Sequence, residues 1–99
     1  MTDFDLNGNR LTVKGKLGQE CESDLKRALS DLLLTDNAVV ELDLRQVDGI
    51  TSMCIGAVVA AWIDLHACER KLQVIPSAYV LRILDMAGIT QAFDIVSSP

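Results

Sequence analysis

The hydrophobic pattern changes period several times along the chain, and each change predicts an element. Phe4 and Leu6 alternate with polar neighbours before "NGN", and Leu11 and Val13 alternate after it. Two period-2 segments joined by Asn-Gly predict a β-hairpin, because its central turn positions want a positive φ. From 21 to 34 the period lengthens. Cys21, Leu25, Ala28, Leu29, Leu32 and Leu33 fall on one side of a helix, with Asp24, Lys26, Arg27 and Asp31 on the other. "AVVELDLR", 38–45, returns to period 2. Val40, Leu42 and Leu44 point one way and Glu41, Asp43 and Arg45 the other, as in a sheet with one covered face and one wetter face.

After a turn at Gly49, residues 52–68, "SMCIGAVVAAWIDLHAC", are apolar nearly all round. Such a helix is expected to be the most buried of the fold. "KLQVIP" reads as a short strand closed by Pro76. Residues 78–87 form a third helix with Val80, Ile83, Leu84 and Ala87 on one face, Ser77 as N-cap and Gly88 just past its end. "ITQAFDIV" closes the pattern as a partly extended segment. Strands alternating with helices in the order β-β-α-β-α-β-α, with a last strand, predict an α/β sheet with right-handed crossovers. A length of 99 residues favours one domain, 1–99.

Charge narrows the function classes. The formal net charge is −5, and Lys and Arg form no cluster, which argues against nucleic acid and against an electrostatic hold on anionic lipid. "MTDFDLNGNR" begins acidic and polar, unlike a secretory leader. The apolar run Met53–Ile63 is too short to span a bilayer, and Asp64 and His66 follow it, so no direct membrane insertion is expected. Three cysteines, Cys21, Cys54 and Cys68, make an odd count without metal spacing. They read as small buried hydrophobes of a reduced, cytoplasmic protein. His66 has no ligand neighbour, so no metal is expected. Asp43, Asp48 and Asp64 read as solvated faces and turns. No nucleophile elbow, P-loop or dinucleotide fingerprint occurs, so neither an enzyme nor a cofactor is expected. Trp62, with Val58, Val59 and Leu65, reads as core packing, the alternative being a partner or dimer surface.

The remaining chemistry is at the entrance of the second helix. Thr51 and Ser52 stand where the first helical amides lack partners. Ser and Thr cap helices there for structural reasons alone. The same amides and the helix dipole favour an anion, so a phosphate on Ser52 would be tolerated by the fold.

"VELDLRQVDGITSMCIGAVVAAW", "KLQVIP" and "SAYVLRILDMAGITQAF", in this order and spacing, resemble a STAS domain, the module of sulphate transporters and bacterial anti-sigma-factor antagonists. The likeness covers most of residues 8–96. It implies a single STAS-like domain, with a mixed sheet of four to five strands and helices mainly on one face. The family's Asp-Ser-Ser/Thr-Gly-Leu-Gly turn falls on Thr51, Ser52, Met53, Cys54, Ile55 and Gly56, so the modifiable hydroxyl and last glycine are kept while the acid, second hydroxyl and first glycine are replaced. The family's Gly-Glu-Leu-Asp turn appears as "GKLG", Gly15 to Gly18. The resemblance implies a phosphorylation-switchable interaction module that binds a serine-kinase/anti-sigma factor when unphosphorylated. Ser52 would be the phosphorylation site; Thr51, which replaces the family's acid, would take over the cap, with a second phosphorylation site as its alternative role. Lys16, Leu17, Gly18, Gln19, Thr51, Ser52, Met53, Ile55 and Gly56 would form the partner-binding surface, the loop half running on to Glu20. The alternative it implies is a structural subunit, either the accessory subunit of a bacterial lipid ABC transporter or a scaffold of a stress-signalling complex, with the apolar helix as part of a permanent interface; a homodimer is a separate alternative.

Overall fold

The N-terminal hairpin forms where the alternation places it. In the computed structural model, which describes residues 2–89 and 94–95, β1 (Asp3–Asn7) pairs antiparallel with β2 (Arg10–Leu17). The central turn pair is Gly8–Asn9, one residue later than the Asn-Gly signal implies. Only Gly8 of the two has a positive φ, +62°, as a turn of the II′ type requires at its first central position.

A 3-10 turn (Gln19–Cys21) then leads into α1 (Glu22–Leu33), β3 (Val39–Ile50), α2 (Ser52–Ala67), β4 (Lys71–Pro76), α3 (Ala78–Met86) and β5 (Asp94–Ile95). The five strands lie in the order β1-β2-β3-β4-β5, and every pairing after the hairpin is parallel. Right-handed crossovers that step the same way across a sheet leave their helices on one face. One buried cluster reflects this. Leu25 and Leu29 of α1, Val58 and Leu65 of α2, and Val80 and Leu84 of α3 join Val13, Leu42 and Val74 of the sheet. The expected mixed sheet with helices on one face is therefore the observed architecture. Of "ITQAFDIV", residues 90–93 and 96 lie outside the described residues; Asp94 and Ile95 are extended.

β3 runs five residues beyond its expected end at Arg45. Between Thr12 and Lys14 of β2, and again between Gly15 and Lys16, β3 carries one extra residue. Each bulge shifts the side-chain phase by one, so Leu44, Val47 and Ile50 all face the helices although they are three apart. Gly15, between the two irregularities, has φ +105°, a conformation that side-chain-bearing residues rarely adopt. Gly49 makes no turn. It lies in β3 opposite Lys16, whose stem crosses it, with Cγ 3.3 Å from where a Cβ would stand.

As expected, α2 buries the most residues of the three helices, Cys54, Ala57, Val58, Ala61 and Leu65, while Met53 and Ile63 on its outer side are more than half exposed. A single helical layer leaves every helix an outer face, whatever its composition. Two further expectations, on Cys68 and Asp43, are corrected. Cys68 is exposed at the end of α2. Asp43 is buried on the helix-free face of the sheet, not solvated. It accepts bonds from Arg45 Nε at 3.0 Å and Nη2 at 2.8 Å, and Arg10 Nη1 lies 3.6 Å away. The predicted cap of α3 is present. Ser77 accepts from Val80 N at 3.1 Å and donates to Val47 O at 2.6 Å, tying α3 to bulged β3. Gly88 follows the helix with φ +73°.

Two predictions come from these polar anchors. The Arg45 side-chain bonds to Asp43 hold its carboxyl below the ordinary range, against the opposing effect of burial. A depressed folded-state pKa gives stability that is present above the unfolded value near ~3.9 and is lost as pH falls through the folded one. Asp43→Asn therefore lowers the urea midpoint at pH 7, and the gap from wild type narrows below about pH 4. Arg70 donates to Leu33 O, Thr35 O and Asn37 O, gathering carbonyls beyond the end of α1. Arg70→Ala should cost about 1–3 kcal/mol in urea denaturation, while Arg70→Lys, without the planar fork, recovers only part of it.

Candidate functional site

Two segments meet at the C-terminal edge of the sheet, where binding sites of open α/β folds commonly form. Leu17 and Ile50 are the last paired residues of β2 and β3. One step on, Thr51 N donates to Leu17 O at 3.0 Å. Thr51 is extended, with φ −85° and ψ 160°, and its hydroxyl accepts from Cys54 N at 3.3 Å. Its carbonyl accepts from Ile55 N at 3.0 Å, the first helical bond. Thr51 is thus the N-cap of α2, occupied by that work, and Ser52 is the first helical residue.

Ser52 is exposed, and no described residue bonds its hydroxyl. Met53 is 54% exposed, Gly56 is exposed and Ile55 is half-buried. The first turn of α2 carries no acid, so the partial positive charge of its amides is not offset locally. Opposite, Lys16, Gln19 and Glu20 are exposed and Gly18 is half-buried. Leu17 departs from the expected contact set: it is fully buried, and only its backbone faces the junction. Lys16 Nζ lies 3.7 Å from Asp48 Oδ1, both well exposed, a pair that contributes little. The structure therefore brings the 16–20 loop and the 51–56 turn together as one surface.

Beneath that surface lie two thiols. Cys54 Sγ is 3.6 Å from Gly18 O, and Cys21 Sγ is 3.3 Å from the same oxygen. Sequence reasoning took each cysteine singly; 33 positions separate them, and no spacing rule connects them. Farther along α2, Trp62 is half-buried against the core and stacks on His66, with centroids 5.2 Å apart. Among the described residues no group of His, Cys, Asp and Glu is placed to hold a metal ion. No described helix is long and apolar enough to cross a membrane.

No protein-family model and no curated protein matches the sequence. Solved structures do match. The chain is similar to an anti-sigma factor antagonist from Mycobacterium paratuberculosis at TM-score 0.84 and 16% identity, over 99% of this chain and 86% of that one. It is similar to a putative anti-sigma factor antagonist from Thermotoga maritima at TM-score 0.79 and 17% identity, over 98% and 86%. The anti-sigma factor antagonist SpoIIAA in its unphosphorylated form matches at TM-score 0.70 and 10% identity, over 100% and 90%. The phosphorylated form, of the Bacillus protein, matches at TM-score 0.65 and 9% identity, over 99% and 93%. At these identities the likeness is one of fold: the chain has the STAS-like fold of anti-sigma factor antagonists.

Proposed function

We propose that the chain is a cytoplasmic protein-binding switch rather than an enzyme. Unmodified, it docks the 16–20 loop and the 51–56 turn on a serine-kinase/anti-sigma factor, and phosphorylation of Ser52 releases it. The observation that carries this reading is the exposed Ser52 hydroxyl at the start of α2, next to a cap already supplied by Thr51. That a solved relative in fold exists in both phosphorylated and unphosphorylated forms supports it. In the transfer, Ser52 Oγ takes the terminal phosphoryl group of an ATP held by the partner, ADP leaves, and the hydroxyl proton passes to a base of the partner.

The magnitudes favour release without unfolding. A phosphate at a helix N-terminus adds roughly −1.5 to −2 charges where the dipole returns about 0.3–1 kcal/mol. Facing one like charge of a partner at about 5 Å costs roughly 3 kcal/mol at an effective dielectric near 20. That is on the order of a hundredfold in affinity. The alternative, a constitutive structural subunit, draws on the replaced acid at Thr51 and the replaced glycine at Cys54. Neighbouring genes separate the two readings, a kinase with a sigma factor on one side, a permease with an ATPase on the other.

The switch is tested by phosphopeptide mapping of the chain recovered from its native cells, with binding of Ser52→Asp and wild type to the kinase partner measured side by side. Phosphate on Ser52 and about a hundredfold weaker binding of Ser52→Asp, at nearly unchanged stability, are expected. An unmodified Ser52 together with equal binding of Ser52→Asp overturns the mechanism. Gly56 gives a second test. A Cβ there would meet nothing within 4 Å, so the isolated fold gains nothing from glycine, which costs a helix about 0.5–1 kcal/mol relative to alanine. Gly56→Ala should raise stability by about that amount while weakening the complex about tenfold, through overpacking of about 1–3 kcal/mol at a close contact. Thermal melts and titration calorimetry read the two effects separately.

A further inference from the structure

We propose that Cys21 and Cys54 close a reversible disulfide, making the junction between the 16–21 loop and α2 a redox modification site. The inference goes beyond the phosphate switch and needs neither a partner nor a modified Ser52.

The first observation is the shared acceptor. Both sulfurs bond to Gly18 O, at 3.3 Å and 3.6 Å. Those distances cap the sulfur separation at about 7 Å, which must fall to ~2.05 Å for the bond to form. Neither residue is held within a strand. Cys21 ends the 3-10 turn and Cys54 stands in the first turn of α2. The shared oxygen is not orphaned when the thiols leave it, because it also accepts from Cys21 N at 3.2 Å.

The second observation is access. Cys21, 6% exposed, lines an open cavity of about 560 Å³ walled also by Gly15, Lys16, Glu20, Asp24 and Asp48. Cys54 is fully buried and does not line it. A small disulfide such as oxidised glutathione therefore meets Cys21 first. Cys68 is exposed, but it follows Cys54 by 14 positions along α2, roughly 21 Å of helix, and lies at the far end from the junction.

The chemistry is two exchanges. The Cys21 thiolate attacks one sulfur of the small disulfide, the S–S bond breaks, and one small thiolate leaves. The Cys54 thiolate then attacks the Cys21 sulfur of the mixed disulfide and expels the second. Two protein thiols are oxidised, the small disulfide is reduced to two thiols, and the two cysteine protons end on them. The product pins the start of α2 to the loop that faces it.

The test uses the full chain carrying Cys68→Ser, which removes the exposed thiol at the far end of α2. It is incubated with oxidised glutathione, denatured, alkylated and weighed. The expected product is lighter by two hydrogens, takes up no alkyl group and yields one linked peptide pair containing Cys21 and Cys54; dithiothreitol reverses it. Amide exchange across 51–56 slows in the oxidised form. Cys54→Ala leaves a Cys21–glutathione mixed disulfide that goes no further. The proposal is overturned if both thiols of the Cys68→Ser chain stay free for alkylation, or if glutathione remains on Cys21 with Cys54 free.

Discussion

The pairing of β2 with β3 governs where everything at the C-terminal edge of the sheet stands. A parallel pair in perfect register would keep one phase of side chains inward along its length. Here β3 inserts one extra residue twice against β2. A single insertion would have turned Ile50 outward, since one slip exchanges the two faces. Two insertions restore the phase, so Ile50 returns to the helix side opposite Leu17. Thr51 N can then reach Leu17 O, and α2 starts directly beside the 16–20 loop. Ser77, bonded to Val47 O within the bulged stretch, anchors α3 to the same irregular piece of strand.

The opposite face of the sheet has to solve a different problem. With the three described helices on one side, no described element forms a second layer over Glu41, Asp43 and Arg45. Arg10 and Arg45 cover the Asp43 carboxylate instead, and Arg10 Nε also bonds Glu41 Oε1 at 3.2 Å. A buried carboxylate is costly when unpaired and tolerable when its lone pairs are filled by guanidinium donors. The charged residues thus do for this face what an apolar layer does for the other.

Much of this was legible in the sequence. Elements came from period, and their order implied an α/β sheet with right-handed crossovers; the mixed sheet with helices on one face was implied by the resemblance to a STAS domain. The misreadings share one physical cause, that pattern rules are local and coverage is not. The strand ended at Arg45 on paper because the alternation slips there, and a slip looks the same whether a strand ends or bulges. Cys68 looked buried because residue type does not say that the end of α2 lies beyond the covered layer. Asp43 looked solvated because its guanidinium partners sit on the adjacent strand and two residues along its own. At the site, Ser52 and Thr51 could be placed on a helix start from the motif alone. The division between them was legible too: Thr51 replaces the family's acid and is expected to cap, as it does by accepting from Cys54 N, with Ser52 facing outward. The meeting of Cys21 with Cys54 needed coordinates.

That division bears on how any signal at the junction is read. Thr51 holds the cap, so the fold does not depend on Ser52, and charge placed there leaves the buried side of α2, Cys54, Ala57 and Val58, untouched. A phosphate can then act only on what approaches from outside, through repulsion at short range. A bond between Cys21 and Cys54 would act in the opposite sense. It adds no charge and exposes no new group, but it would remove freedom from the 16–21 loop and the start of α2. Less freedom before docking means less entropy lost on docking. The same surface would therefore be weakened by one modification and sharpened by the other, because one changes the charge a partner meets and the other the stiffness behind it.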